Sequence, residues 1–208
     1  MIWGLTISYK VKMPANKPKF KISYNCPVVL TYAAVCLVLV AVNALTGGWL
    51  NKYVMVCYGH PSLLDPMTYV RCITYFFGHS GWEHYASNML LMLLVGPVVE
   101  EKYGSGNLAF MILVTGIASG IINCIFFDTG VIGASGIVFM MIILSAFTNV
   151  KKGEIPLSLL LVAAIYLGRE IVSAFTPDAV SQFGHIMGGL FGLFWGIYYY
   201  KTKFSRQY

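Results

Sequence analysis

Apolar segments long enough to cross a hydrocarbon layer recur along this chain, and no other feature narrows its fold so much. Runs bounded by charge, proline or glycine predict six helices at about 28–50, 84–103, 106–127, 135–150, 156–175 and 180–200. Hydrophobic residues make up 58% of the sequence and charged residues 11%, so the apolar surplus exceeds what a soluble core needs. The expected fold is an all-α, six-transmembrane-helix bundle with a long first outer loop at about 51–83 and no separate soluble domain.

Charge placement orients the bundle. With the N-terminus inside, the cytoplasmic segments hold Lys10, Lys12, Lys17, Lys19, Lys21, Lys102, Lys151, Lys152, Lys201, Lys203 and Arg206, and only Lys52, Arg71 and Arg169 fall outside. This is the asymmetry of the positive-inside rule, and it assigns both termini to the cytoplasm. Residues 1–27 read as a basic cytoplasmic tail without a signal-peptide core, 28–200 as the helical core, and 201–208 as a short cytoplasmic tail. The net charge of +6 sits beside the spans and forms no basic helix, so no nucleic-acid partner is expected. The lipid bilayer is the partner the composition requires.

Five cysteines, Cys26, Cys36, Cys57, Cys72 and Cys124, show neither a C-x-x-C pair nor zinc spacing. They read as apolar filler, with a Cys57 to Cys72 disulfide as an alternative that spacing leaves open. No metal and no cofactor is expected.

Polar side chains inside spans are functional candidates, because each needs a partner in lipid. Ser135, His185 and His84 each lie sixteen residues before an inner boundary, at Lys151, Lys201 and Glu100 respectively. All three therefore stand about 24 Å above the inner edge of a layer about 30 Å thick. The fourth helix is too short to span, so it starts inside the membrane, and the backbone around Asp128 to Gly133 must line a cavity over Ser135.

The chemistry of these types is complementary. A serine hydroxyl becomes a nucleophile when a base such as histidine takes its proton. Ser135 opens a helix, where unpaired N–H groups favour negative charge. His84 and Asn88, one turn apart, share a helix face and can both donate hydrogen bonds, so with the Ser135 amide they can hold an oxyanion. Gly188, Gly192 and Gly196 form a small-residue stripe for close helix packing, and Gly116 and Gly120 another, read as packing only. No carboxylate stands near His185, which favours a dyad over a triad. Each residue also has a structural reading: Ser135 as a packing residue, His185 as an interhelical hydrogen bonder, His84 and Asn88 as caps. Their shared depth and topology set the functional reading above these.

The stretches "GASG", "GHIMGGLFG" and "RCITYFFGHSGWEHYASN" resemble the rhomboid family of intramembrane serine proteases, and the resemblance covers about 28–200. It implies a catalytic dyad of Ser135 and His185, oxyanion donors at His84, Asn88 and the Ser135 amide, and supporting packing from Gly133, Gly136, Gly188, Gly192 and Phe139. Arg71, Thr74, Phe77, His79, Gly81 and Trp82 match the family's first-loop pattern, which makes His79 structural, and Glu100 falls at a structural position. Val70 replaces the aromatic partner of the Trp-Arg pair. Phe139 stands where some members carry a tyrosine against the histidine. His60, Asp65, Asp128, Glu170 and Asp178 match no family role and read as solvated loop residues.

The resemblance implies cleavage, near the outer face, of single-pass transmembrane proteins with small, helix-destabilising residues. By analogy the membrane is a bacterial plasma membrane. The alternative is a non-catalytic rhomboid-like protein that binds transmembrane clients. A transporter would show inverted repeats, and zinc or aspartyl intramembrane proteases would show H-E-x-x-H or paired buried aspartates. None is present.

Overall fold

The computed structural model describes residues 22–148, 157–158, 160–161, 164–165, 168 and 179–204. Most of the expected fifth span, the basic tail through Lys21, and Lys151, Lys152, Arg169, Glu170, Asp178 and Arg206 lie outside the described residues. The architecture is all-helical. Its helices are α1 (Pro27–Leu45), α2 (Pro66–Thr74), α3 (Trp82–Tyr103), α4 (Ser105–Phe126), α5 (Ser135–Phe147) and α6 (Ala179–Tyr199), with a 3-10 turn at Tyr75–Phe77. Leu157, Leu160, Leu161 and Ile165 between α5 and α6 are helical and exposed.

The bundle turns the usual soluble pattern outward. Leu90 and Leu94 on α3 are each 70% exposed, while Asn123 is 0% exposed and Asn88, Glu100, Thr115 and Ser119 are buried. Large apolar side chains facing out while polar ones are buried within an apolar core is the arrangement for a hydrocarbon solvent. Among the described residues, α1 and α4 are long and apolar enough to cross a bilayer, and α5, at 13 residues, is shorter. α3 has the length but carries Glu83, Glu100, Glu101 and Lys102 at its ends.

α1 begins at Pro27, whose missing N–H costs nothing at the first helical position. Its N-terminus has no cap of its own. Instead Glu100, from the far end of α3, accepts from Val28 N and Val29 N at 3.0 Å each and from Ser105 Oγ at 2.7 Å. A buried carboxylate on the positive end of a helix dipole, with three donors, is a structural fastener. It ties α1, α3 and α4 together. The turn between α3 and α4 is made at Gly104, whose φ of +83° favours glycine.

α5 occupies the centre. Ile137, Val138, Met140, Met141, Ile142, Ile143 and Leu144 are all buried, so the helix is covered on every side. Its tightest neighbour is α6. A Cβ on Gly188 would collide with the Gly136 carbonyl, a Cβ on Gly136 would stand 2.9 Å from the Gly184 carbonyl oxygen, and one on Gly192 would stand 2.9 Å from the Met140 carbonyl oxygen. The expected small-residue stripe thus meets backbone at Gly188 and Gly192 and the Phe147 ring at Gly196.

The second stripe does something the sequence reading missed. Gly116 and Gly120 on α4 receive rings from the first loop, Phe76 against Gly116 and Tyr75 against Gly120. The Tyr75 hydroxyl donates to the Gly116 carbonyl at 2.9 Å, and the Tyr32 hydroxyl donates to the Phe76 carbonyl. The loop is therefore seated into the bundle.

Its own joints are polar. Arg71 donates to the Tyr53 carbonyl from Nε at 3.1 Å and Nη2 at 2.9 Å, and pairs with Asp65 at 3.2 Å. Asp65 also caps α2 by accepting from Met67 N at 3.0 Å. This corrects the solvated reading of Asp65. His60 and Asp128 face each other at 3.4 Å, with side chains 55% and 95% exposed, so the contact is a surface one.

Candidate active site

The segment before α5 is held from three sides. Cys57 and Val131 exchange backbone hydrogen bonds at 3.0 and 2.9 Å, and Gly133 N donates to the Tyr75 carbonyl at 3.0 Å. Gly133 has a φ of +126°, and a Cβ there would stand 2.6 Å from His84 Cε1 and 2.8 Å from Nε2. Only glycine allows that backbone and that approach together. Ala134 is fully buried, and α5 starts at Ser135.

Below this segment opens a cavity of about 480 Å³, lined by His84, Gly133, Ser135, Gly136 and Gly184 on one side. Tyr75, Phe76, Thr115, Gly116 and Ser119 line the other. The expected hollow over Ser135 is present, and Gly130 to Gly133 line it as the short-helix argument requires. The aromatic and α4 contributions were not read from the sequence. Their signal was the run Thr115, Gly116, Ser119, Gly120, which puts polar and small residues on one helix face.

His84 has a defined orientation. Its Nδ1 accepts from the Ser80 backbone N–H at 3.4 Å and lies 3.0 Å from Ser80 Oγ. A backbone N–H can only donate, so the neutral ring carries its proton on Nε2, the atom beside Gly133. Asn88, one turn along, is 6% exposed, and its Nδ2 would lie 3.8 Å from a Gly133 Cβ. That Nδ2 has no hydrogen-bond partner among the described residues. Two donors thus converge on the backbone just before Ser135.

His185 arrives from α6. Its ring stacks on Phe139 with centroids 4.2 Å apart and planes 7° apart. Phe139 is one turn after Ser135, and Gly184, which precedes His185, would place a Cβ 3.9 Å from Ser135 Oγ. The α5–α6 seam therefore brings the hydroxyl of one helix to the backbone that carries the imidazole of the other. Gly188 and Gly192 sit in that seam on Gly136 and Met140, one and two turns from His185.

His79 is fully buried in the first loop, with the His84 ring 5.2 Å and the Tyr85 ring 5.6 Å away and its carbonyl accepting from Asn51 Nδ2 at 2.7 Å. Burial first, and the neighbouring His84 imidazole second, hold its pKa down to about 4. A ring kept neutral and packed edge-on fits the structural reading.

All five cysteines are free thiols and four are buried, in keeping with the apolar-filler reading, and Cys57 and Cys72 are 3.9 Å apart without the bond that spacing left open. Cys124 Sγ lies 3.5 Å from Cys57 Sγ and 3.6 Å from Cys72 Sγ. Spacing gave no hint, because the three come from a loop, α2 and α4.

These features define an all-helical protein with apolar outer faces, wrapped around a hollow that carries a few polar side chains and that a helix-opening serine enters. The Rhomboid domain family matches residues 66–202, and the chain belongs to the rhomboid family. Similar proteins include rhomboid protease GluP of Bacillus subtilis (strain 168), 31% identical over 157 residues, covering 72% of this chain and 30% of that protein. RHOMBOID-like protein 7 of Arabidopsis thaliana is 28% identical over 132 residues, covering 60% of this chain and 40% of that protein. Rhomboid-like protein 11, chloroplastic, also of Arabidopsis thaliana, is 24% identical over 137 residues, covering 58% of this chain and 49% of that protein. The chain thus spans half or less of the length of these relatives.

Proposed function

We propose that this rhomboid-family protein is an intramembrane serine endopeptidase that cleaves transmembrane segments of other proteins near the outer face. The carrying observation is the cavity over Ser135, which joins that hydroxyl to the His84 side and to Gly184, the residue before His185. Similarity to a protein named a rhomboid protease adds to it.

In this reading Ser135 Oγ attacks the scissile carbonyl carbon while His185 takes its proton. The oxyanion accepts hydrogen bonds from His84 Nε2–H, Asn88 Nδ2 and the Ser135 amide, all fixed before the charge develops. His185 returns the proton to the leaving amine. Water entering through the cavity then hydrolyses the acyl-serine, with His185 as base. Stacking on Phe139 fixes the imidazole plane without a hydrogen-bonding hydroxyl.

The substrate must unwind to offer a carbonyl, since a helical backbone hides it. Single-pass helices with small residues meet that need. We assign the core to residues 28–200, with six spans and both termini in the cytoplasm.

The test is labelling of the detergent-purified protein by a fluorophosphonate serine probe, together with cleavage of transmembrane substrates. Labelling should vanish in Ser135→Ala and fall in His185→Ala while folding is kept. A folded wild type that neither labels nor cleaves would favour client binding instead.

A further inference from the structure

The three-thiol cluster lies outside the site described above, and its geometry is regular. Its edges are 3.9, 3.5 and 3.6 Å. Zinc–thiolate bonds of about 2.3 Å set the corners of a tetrahedron about 3.8 Å apart. The sulfurs thus already stand at three corners of one metal's coordination shell. We propose that Cys57, Cys72 and Cys124 bind a single zinc-class divalent ion, with water or a backbone carbonyl in the fourth position.

Four observations carry this. Cys57 and Cys72 are 1% and 8% exposed, while Cys124 is half-buried, so the cluster is enclosed but has an entry side. The Gly120 carbonyl lies 3.6 Å from Cys57 Sγ and the Tyr58 carbonyl 3.5 Å from Cys124 Sγ, which places candidate oxygen ligands for the fourth position beside the cluster. Gly120 lets α2 come close there, since a Cβ would stand 3.1 Å from the Cys72 carbonyl oxygen. The three ligands come from separate parts of the chain, as a structural staple needs.

Binding exchanges protons for the ion: each thiol releases its proton to solvent as its sulfur–metal bond forms, with no oxidation. Burial, reinforced by Cys124, holds Cys72 up to about 11, and burial with the neighbouring Cys72 and Cys124 thiols holds Cys57 well up too. Without metal these two remain neutral thiols, and a divalent charge reverses that preference.

The position gives the ion a consequence. Cys57 is the residue whose backbone bridges to Val131, Cys72 lies in α2, and Cys124 is near the end of α4. One ion would clamp the first loop to α4 and, through the bridge, steady the Gly130 to Gly133 rim of the cavity.

The experiment titrates Co²⁺ into the reduced, detergent-purified full chain and follows thiolate-to-cobalt charge-transfer and tetrahedral ligand-field bands, with Zn²⁺ as competitor. One ion per chain is expected, displaced by Zn²⁺. Cys124→Ser should weaken it by more than the ~10–100-fold that outer-shell changes cause. Cys26→Ser and Cys36→Ser should leave it unchanged.

Folded wild type with no thiolate band overturns the proposal, as does a band equally lost in Cys36→Ser. Formation of a disulfide within the trio with no metal uptake also overturns it. The wild-type titration decides even if a cysteine variant misfolds, and it is independent of protease activity.

Discussion

The α5–α6 seam and the first-loop seat on α4 both depend on glycine, yet they use it differently. Around Ser135 the seam glycines meet backbone, Gly188 on Gly136, Gly136 on Gly184 and Gly192 on Met140, and only Gly196 farther along meets a ring, that of Phe147. In the seat the nearest atoms are rings, Phe76 at Gly116 and Tyr75 at Gly120, with the Cys72 backbone a little farther from Gly120. Backbone cannot swing aside, whereas a ring can rotate or shift, so the seam fixes positions and the seat allows adjustment. Rigidity falls where the proposed dyad needs a hydroxyl and an imidazole to meet. Adjustability falls where the cavity is walled by a loop.

Alanine at the two kinds of glycine breaks or sharpens that contrast. Gly188→Ala should lower stability by about 3 kcal/mol or more and cut cleavage at least tenfold, because the helices must separate. Thermal unfolding and a cleavage assay read both effects.

His79 tests whether the seat is held by its neutral core. Its folded pKa of about 4 lies below the ordinary 6.5, so its stabilisation is complete above pH 6.5 and is lost as pH falls toward 4. The loss is on the order of 1–3 kcal/mol, and His79→Phe should flatten that part of a pH-dependent unfolding curve.

Gly116→Ala should cost less than the seam variant, about 1 kcal/mol, since Phe76 can move. It should still change cleavage, because Phe76 lines the cavity. Equal losses at Gly188 and Gly116 would erase the distinction. Smallest of all, Phe139→Tyr should change cleavage no more than about tenfold, because stacking survives and a hydroxyl is worth about 0.5–1.5 kcal/mol at most.

Much of the site was legible before any coordinates. Counting at a constant helical rise predicted a common level for Ser135, His185 and His84, and one cavity is lined by Ser135, His84 and Gly184, the residue before His185. The short α5 foretold a hollow because lipid cannot satisfy loop backbone. The orientation of His84 was not legible, since it depends on Ser80 four residues earlier folding back onto Nδ1. Nor was the role of Gly116 and Gly120, whose partners Tyr75 and Phe76 come from a loop without periodicity. Asp65 looked solvated because a cap and an ion pair to Arg71 require a turn whose geometry composition does not reveal.

What the sequence determined by itself was local and periodic: where most of the long helices form, and which helix faces are small enough to touch. Those follow from rise per residue and from side-chain size, and need no knowledge of neighbours. The tertiary structure alone decided which small face takes a backbone and which takes a ring, where Glu100 fastens α1, and that three scattered thiols meet. Such pairings join residues from 15 to 72 positions apart, and only packing in three dimensions chooses among the partners a chain could bring together.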